Sequence, residues 1–253
     1  MTSNRIVFFH VPKCAGSTVY LHLSKVMGKK TLSDRLLRRT PEVMIHTKHH
    51  AGDIEKRSRK AAHARVIYGH MDWKTYEKTR PDKRDFRFTF LRSPKDRIYS
   101  AYRFFCSPQG WKWSDLPGSP EDYSFEDYLE AAYIYQRWQI DNVATRMFSG
   151  DFDADPQSAD EWELLLATAK KNICRLDFVG FHERFNQDFI DVCKMIDIPP
   201  VTPKMENATR ENRLIAGSEV SDANVDQLCK WDLQLYRFAL DSKPLQPRHT
   251  GVK

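Results

Sequence analysis

The residues Ile6-Val7-Phe8-Phe9-His10-Val11-Pro12-Lys13-Cys14-Ala15-Gly16-Ser17-Thr18 limit the possible folds more than any other stretch of this chain. Four apolar residues in a row, two of them β-branched, suit a strand covered on both faces, as in a parallel sheet. Pro12 has no N–H to give and ends the ladder. Ser17 and Thr18 read as capping residues, and Val19, Leu23, Val26 and Met27 then recur at helical spacing. His10 is read as part of the strand, where it serves stability rather than chemistry. A helix entered directly from a strand presents unpaired N–H groups and the positive end of its dipole. Lys13 adds a full charge and the two hydroxyls add donors, so the turn suits a phosphate or sulfate. Taken alone, it equally suits a structural strand–turn–helix corner.

The ordinary ATP-binding loop is a different object. It sets its first glycine five residues before a Gly-Lys-Ser/Thr triplet and uses the hydroxyl to hold Mg²⁺. Here Lys13 precedes Gly16, and no glycine comes before it in the strand or turn.

A second junction lies at Phe86-Arg87-Phe88-Thr89-Phe90-Leu91-Arg92-Ser93-Pro94-Lys95-Asp96-Arg97-Ile98-Tyr99-Ser100-Ala101-Tyr102. Phe86, Phe88 and Phe90 alternate as in a strand. Ser93 suits an N-cap and Pro94 a first helical residue. Ile98, Ala101, Tyr102 and Phe105 form the buried stripe of the helix. Arg92 therefore falls at the carboxyl end of a strand, the edge at which open α/β sheets bind ligands, and Ser100 on the helix that follows. An arginine there makes bidentate bonds to a phosphate. In isolation it also suits a salt bridge at a helix start.

Together the two segments resemble the sulfotransferases that use 3′-phosphoadenosine 5′-phosphosulfate (PAPS). The likeness is greatest to the carbohydrate branch, which holds the heparan sulfate and chondroitin/dermatan 2-O-sulfotransferases and their bacterial relatives. That family holds the 5′-phosphosulfate in a Val/Ile-Pro-Lys-x-(Ala/Gly)-(Gly/Ser)-(Ser/Thr)-(Ser/Thr) loop, matched by Val11 to Thr18. It holds the 3′-phosphate on a Leu/Ile-Arg-x-Pro-x-x-Arg-x-x-Ser-x-Tyr segment, matched by Leu91 to Tyr102. Ser93 departs from the commoner Asp or Asn, with equal capping capacity. The resemblance implies that Lys13, Cys14, Ala15, Gly16, Ser17 and Thr18 bind the 5′ side and Arg92 and Ser100 the 3′ side.

A third strand end, Val66-Ile67-Tyr68-Gly69-His70, carries a histidine on the same edge. In the resembled enzymes a Gly-His pair in this slot supplies the catalytic base, which maps to His70. A lone histidine is otherwise most often structural. Sulfuryl transfer to a hydroxyl needs a group that takes a proton near neutral pH, and a histidine ionising at about 6 to 7 would serve. Lys13 then stabilises charge on the departing phosphate in an in-line displacement, and no metal is required.

Two later segments resemble the family less closely. Phe178-Val179-Gly180-Phe181-His182-Glu183-Arg184-Phe185 matches a strand-to-helix segment and is read as structural, its apolar residues sufficing. Asn207 to Arg213 falls where relatives carry a loop over the nucleotide, so Thr209, Arg210 and Arg213 are either phosphate ligands or part of a solvated loop. Asn142 and Arg146, four apart on one helical face, either face the cleft or form an ordinary exposed pair.

At 253 residues the chain suits a single P-loop-like α/β domain over 1–243, with a disordered tail over 244–253. The reading gives strand–helix (6–28), a basic connector (29–65), a strand (66–69), a helix near Trp73 and strand–helix (86–106). An aromatic loop (107–123), helices (124–148 and 158–173), strand–helix (176–197) and a long helix (221–242) follow. Strands alternating with helices imply a mainly parallel sheet flanked by helices. No apolar stretch is long enough to span a membrane and no signal-peptide core is present, unlike the Golgi-anchored animal enzymes. A cytoplasmic, bacterial-type enzyme is the expectation.

Five scattered cysteines give no disulfide framework, although a Cys14 thiolate beside a positive turn would be reactive. The formal charge of +6 is concentrated in Lys56, Arg57, Arg59, Lys60 and Arg65, with His46, Lys48, His49 and His50 upstream. This is either a solvated face or a surface for an acidic substrate. Trp111, Trp113, Tyr123, Tyr128, Tyr133, Tyr135 and Trp138 suit sugar stacking or core packing. Two other functions compete. A kinase-like phosphoryl transferase would need Mg²⁺ ligands and a standard phosphate loop. A non-catalytic polyanion-binding module would leave Lys13, Arg92 and His70 unused. The expected partner is a carbohydrate or other hydroxyl acceptor rather than a nucleic acid.

Overall fold

The computed structural model describes residues 5–27, 40–45, 51–200 and 222–242. Strands β1 (Ile6–Phe9), β2 (Thr40–Met44), β3 (Ala64–Gly69), β4 (Phe86–Leu91) and β5 (Phe178–Phe181) form one sheet in the order β2-β3-β1-β4-β5. Every pairing is parallel. β1 is central, and its four residues are buried because helices cover both faces. It pairs from Ile6↔Val66 to Phe9↔Gly69 on one side and from Ile6↔Phe86 to Phe9↔Thr89 on the other. The chain winds to β2 and β3 on one side of β1 before crossing to β4 and β5. That reversal opens a crevice outside the carboxyl ends of β1 and its neighbours.

The helices are α1 (Gly16–Met27), α2 (Ala51–Ala61), α3 (Trp73–Glu77), α4 (Pro94–Phe105) and α5 (Phe125–Tyr135). They continue as α6 (Val143–Ser149), α7 (Ala159–Ile173), α8 (Phe185–Met195), α9 (Asp222–Leu228) and α10 (Lys230–Asp241). Among the described residues no helix is long and apolar enough to cross a membrane. The expected stripe of α4 is real: Ile98, Ala101, Tyr102 and Phe105 are all buried. It packs against Phe125, Tyr128 and Leu129 of α5 in a satellite cluster, not against the sheet core.

Three expectations fail here. The connector 29–65 contains β2 and α2. β2 carries Pro41 and Glu42, residues tolerated at a sheet edge, and α2 buries Ile54, Ser58 and Ala61 on an otherwise polar helix. The helix expected over 124–148 breaks into α5, a 3₁₀ turn at Arg137–Gln139 and α6, where Asn142 takes a φ of 45°. The helix expected over 221–242 breaks at Cys229.

The two breaks hold each other. Asn142 Oδ1 accepts from the amides of Trp231 and Asp232 at 2.8 and 3.0 Å, at the start of α10. Asp232 in turn accepts from the amides of Ala144 and Thr145 at 3.1 and 2.7 Å, at the start of α6. Each side chain satisfies helix-end donors that would otherwise be orphaned. Arg146 is buried as well and donates to Asp141 at 2.6 Å. Asn142 and Arg146 are therefore not an exposed pair: Asn142 serves the start of α10 and Arg146 is paired with Asp141.

Candidate active site

Because all strands are parallel, their carboxyl ends share one edge, and four of them release a nitrogen-bearing side chain there. His10 follows β1, His70 follows β3, Arg92 follows β4 and His182 follows β5. All four residues are half-buried.

In the turn between β1 and α1, Lys13 takes a φ of 65° and Ala15 a φ of 60°. Left-handed conformations of residues with a Cβ cost on the order of 1 kcal/mol or more each. The strain shapes a concave run of N–H groups, the kind of nest that receives an anion. The Val11 carbonyl takes the Cys14 amide at 3.3 Å, and the Ala15 carbonyl takes those of Thr18 and Val19 at 3.1 and 3.4 Å. The amides of Ala15, Gly16 and Ser17 find no acceptor among the described residues. Helix α1 begins at Gly16, so Ser17 and Thr18 lie in its first turn rather than capping it, Ser17 exposed and Thr18 buried.

Gly16 has a second reason to lack a side chain. A Cβ there would lie 1.8 Å from the His10 ring. Cys14 faces the core: its thiol donates weakly to the Pro12 carbonyl at 3.6 Å, and burial pushes its pKa up to about 12. The expected reactive thiolate is therefore absent, and Cys14 brings only its peptide to the turn. Lys13 sits with Nζ 3.7 Å from the centre of the Phe104 ring. Burial, then the charge of Arg92, lowers its pKa to about 8.

His70 is held by the strand end beside it. Gly69 has a φ of 142°, and a Cβ there would come within 2.0 Å of the Ile45 carbonyl oxygen, so only glycine suits the position. His70 Nδ1–H donates to the His10 carbonyl at 2.8 Å. A carbonyl can only accept, so the proton is on Nδ1 and Nε2 is the basic nitrogen. The two imidazole rings lie 4.3 Å apart, centre to centre. Burial above all, with Lys13 adding to it, lowers the His70 pKa to about 4 despite the opposing His10 bond. The ionisation expected at about 6 to 7 is thus displaced, because desolvation penalises the imidazolium. His10 lies beyond the strand and against His70, so it belongs to the site and not to the interior of β1.

Arg92 and Ser100 have no hydrogen-bond or ion-pair partner among the described residues. Burial lowers the Arg92 pKa, and Arg92 in turn adds to the burial that lowers that of His182. Glu183 does more than the apolar reading of its segment allows. It accepts the Ser93 amide at 2.7 Å, whereas the Ser93 side chain, expected to cap the helix, makes no cap bond.

The sequence missed His10, His182 and Phe104. The first two could have been found by their position directly after strands, once the strands were known to be parallel. Thr209, Arg210, Arg213, His46, Lys48, His49 and His50 lie outside the described residues. Of the basic segment, Arg57 donates to the Met44 carbonyl at 2.9 Å, while Lys56, Arg59 and Lys60 are exposed. No group of His, Cys, Asp and Glu able to hold a metal occurs among the described residues.

A family profile described as "Sulfotransferase family" matches residues 2–240. A search of curated proteins found no match. Among solved structures, the chain is similar to a sulfotransferase from Alicyclobacillus acidocaldarius, at 14% identity and a TM-score of 0.44. That likeness covers 94% of this chain and 100% of the other.

Proposed function

The chain belongs to the sulfotransferase family, and from that premise we propose that it moves a sulfuryl group from PAPS to a hydroxyl of a carbohydrate or glycan. The observation that carries the reading is the pairing, on one strand edge, of cations without an acidic partner among the described residues and a neutral histidine. The amides of Ala15, Gly16 and Ser17 with Lys13 suit the 5′-phosphosulfate, and Arg92 with Ser100 suits the 3′-phosphate. Bound there, the donor supplies a sulfuryl group on a phosphate leaving group. Lys13 neutralises charge that grows on the leaving oxygen. His70, neutral and with Nε2 as its basic nitrogen, takes the proton of the acceptor hydroxyl. Thr209 and Arg213 complete the donor site in this proposal.

A sugar acceptor is supported by a cavity of about 200 Å³ walled by Tyr135, Arg137, Trp138, Arg146 and Asp153. Aromatic faces beside charged hydrogen-bonding groups suit a sugar ring. Calorimetric titration with 3′-phosphoadenosine 5′-phosphate, ATP and duplex DNA tests the donor. Binding of the bisphosphate alone is expected, and preference for ATP or DNA would overturn it. Transfer of radiolabelled sulfate from PAPS to a panel of oligosaccharides tests the acceptor.

A further inference from the structure

Helix α4 has two unlike faces. Ile98, Ala101, Tyr102 and Phe105 are buried against α5. Asp96, Ser100 and Arg103 recur at i, i+4 and i+7 on the other side. Side chains on a helix lean toward its N-terminus, which directs Arg103 toward the turn that carries Ser100, and the charge of Arg103 acts on that of Arg92.

Arg92 and Arg103 each bury Nε without a hydrogen bond, and neither guanidinium has an ion-pair partner among the described residues. Arg97 also buries an unbonded Nε, but its end nitrogens are served, as are those of Arg146. Arg97 donates to the Gln139 and Ile140 carbonyls at 2.7 and 3.3 Å, and Arg146 to Asp141. Asp96 and Glu183 favour the charge of Arg92 from a distance, yet neither is within ion-pair reach. Arg103 acts on Arg92 in the opposite sense, as one positive charge close to another. Two like-charged, half-buried guanidiniums with unused donors are unfavourable unless an anion joins them.

We propose that Arg103 is a third ligand of the anion bound by Arg92 and Ser100, making this subsite selective for a dianionic phosphate monoester. The inference rests on the assignment of the subsite to the donor's 3′-phosphate. Two guanidinium forks match the three oxygens and charge of about −2 that a phosphate monoester carries near neutral pH.

Calorimetry with 3′-phosphoadenosine 5′-phosphate and 5′-AMP, on wild type, Arg103→Gln and Arg103→Lys, tests the proposal, with a thermal melt of each protein. Arg103→Gln should weaken bisphosphate binding by roughly 10- to 100-fold, the range of a lost charge-assisted bond. It should leave 5′-AMP binding and the melting temperature unchanged, and Arg103→Lys should fall between. Undiminished bisphosphate binding by Arg103→Gln overturns the role of Arg103 alone. Equal weakening of both nucleotides with a lowered melting temperature also overturns it, in favour of a structural role. A wild type that does not prefer the bisphosphate overturns the donor assignment and this inference with it.

Discussion

At the amino-terminal edge of the sheet, Arg5 donates to Asp85 at 2.9 Å and to the Ala61 and Thr79 carbonyls at 3.0 and 3.1 Å. Asp85, buried, also accepts from the Tyr76 hydroxyl at 3.0 Å. At the carboxyl edge, one strand length away, Arg92 and Arg103 have no such partners among the described residues, and Lys13 rests on an aromatic ring. The same residue types thus have opposite standing at the two ends. Where the fold supplies the counter-charge, the arginine fixes the structure. Where it withholds one, the cation is open to an anionic ligand, as the proposed donor site requires.

The largest test of that contrast is at the carboxyl edge. His70→Ala should lower turnover by roughly 10²–10⁴-fold, the usual share of a general base, while donor binding measured by calorimetry persists. Retained activity would move the base elsewhere. At the amino-terminal edge the penalty falls on the fold: Arg5→Ala leaves Asp85 buried without its counter-charge and should cost about 3–5 kcal/mol in denaturant unfolding. A variant as stable as wild type would erase the contrast.

Lys13→Ala should reduce kcat on the order of a hundredfold with a smaller change in donor affinity, read from single-turnover kinetics and calorimetry. Arg92→Ala should remove about 1.5–3 kcal/mol of the preference for 3′-phosphoadenosine 5′-phosphate over 5′-AMP without lowering the melting temperature. A fall in melting temperature like that of Arg5→Ala would make the two edges alike.

The smallest effect is in the pH profile. The rate constant kcat/KM reports the free enzyme. It should rise as His70 loses its proton at about 4 and fall as Lys13 loses its own at about 8. Both signs follow from the roles proposed, a neutral base and a protonated lysine. A rise centred at 6 to 7 would show that His70 is more hydrated than its setting implies.

Local pattern made much of this legible. The apolar run Ile6–Phe9, the alternation of Phe86, Phe88 and Phe90, and the Ser93-Pro94 helix start are short-range signals, and β1, β4 and α4 lie where those signals put them. Lys13, His70 and Arg92 were found because each sits at the end of such a run. Edge strand β2 was invisible because Pro41 and Glu42 carry no strand signal, and only pairing with β3 makes it a strand. The breaks in the later helices depend on Asn142 and Asp232, which meet across 90 residues of chain.

The sequence by itself determined the parallel α/β class, the two strand-to-helix junctions that carry Lys13 and Arg92, and the histidine at a third strand end, because strand and helix periodicity are read within a few residues. Tertiary structure alone decided what each polar group experiences. It made His10 the acceptor that fixes the His70 tautomer and turned Cys14 inward. It also paired Arg5 while leaving Arg92 and Arg103 without an ion-pair partner among the described residues. Desolvation and hydrogen bonding depend on neighbours distant along the chain, and those neighbours exist only once the sheet has brought its strand ends to a common edge.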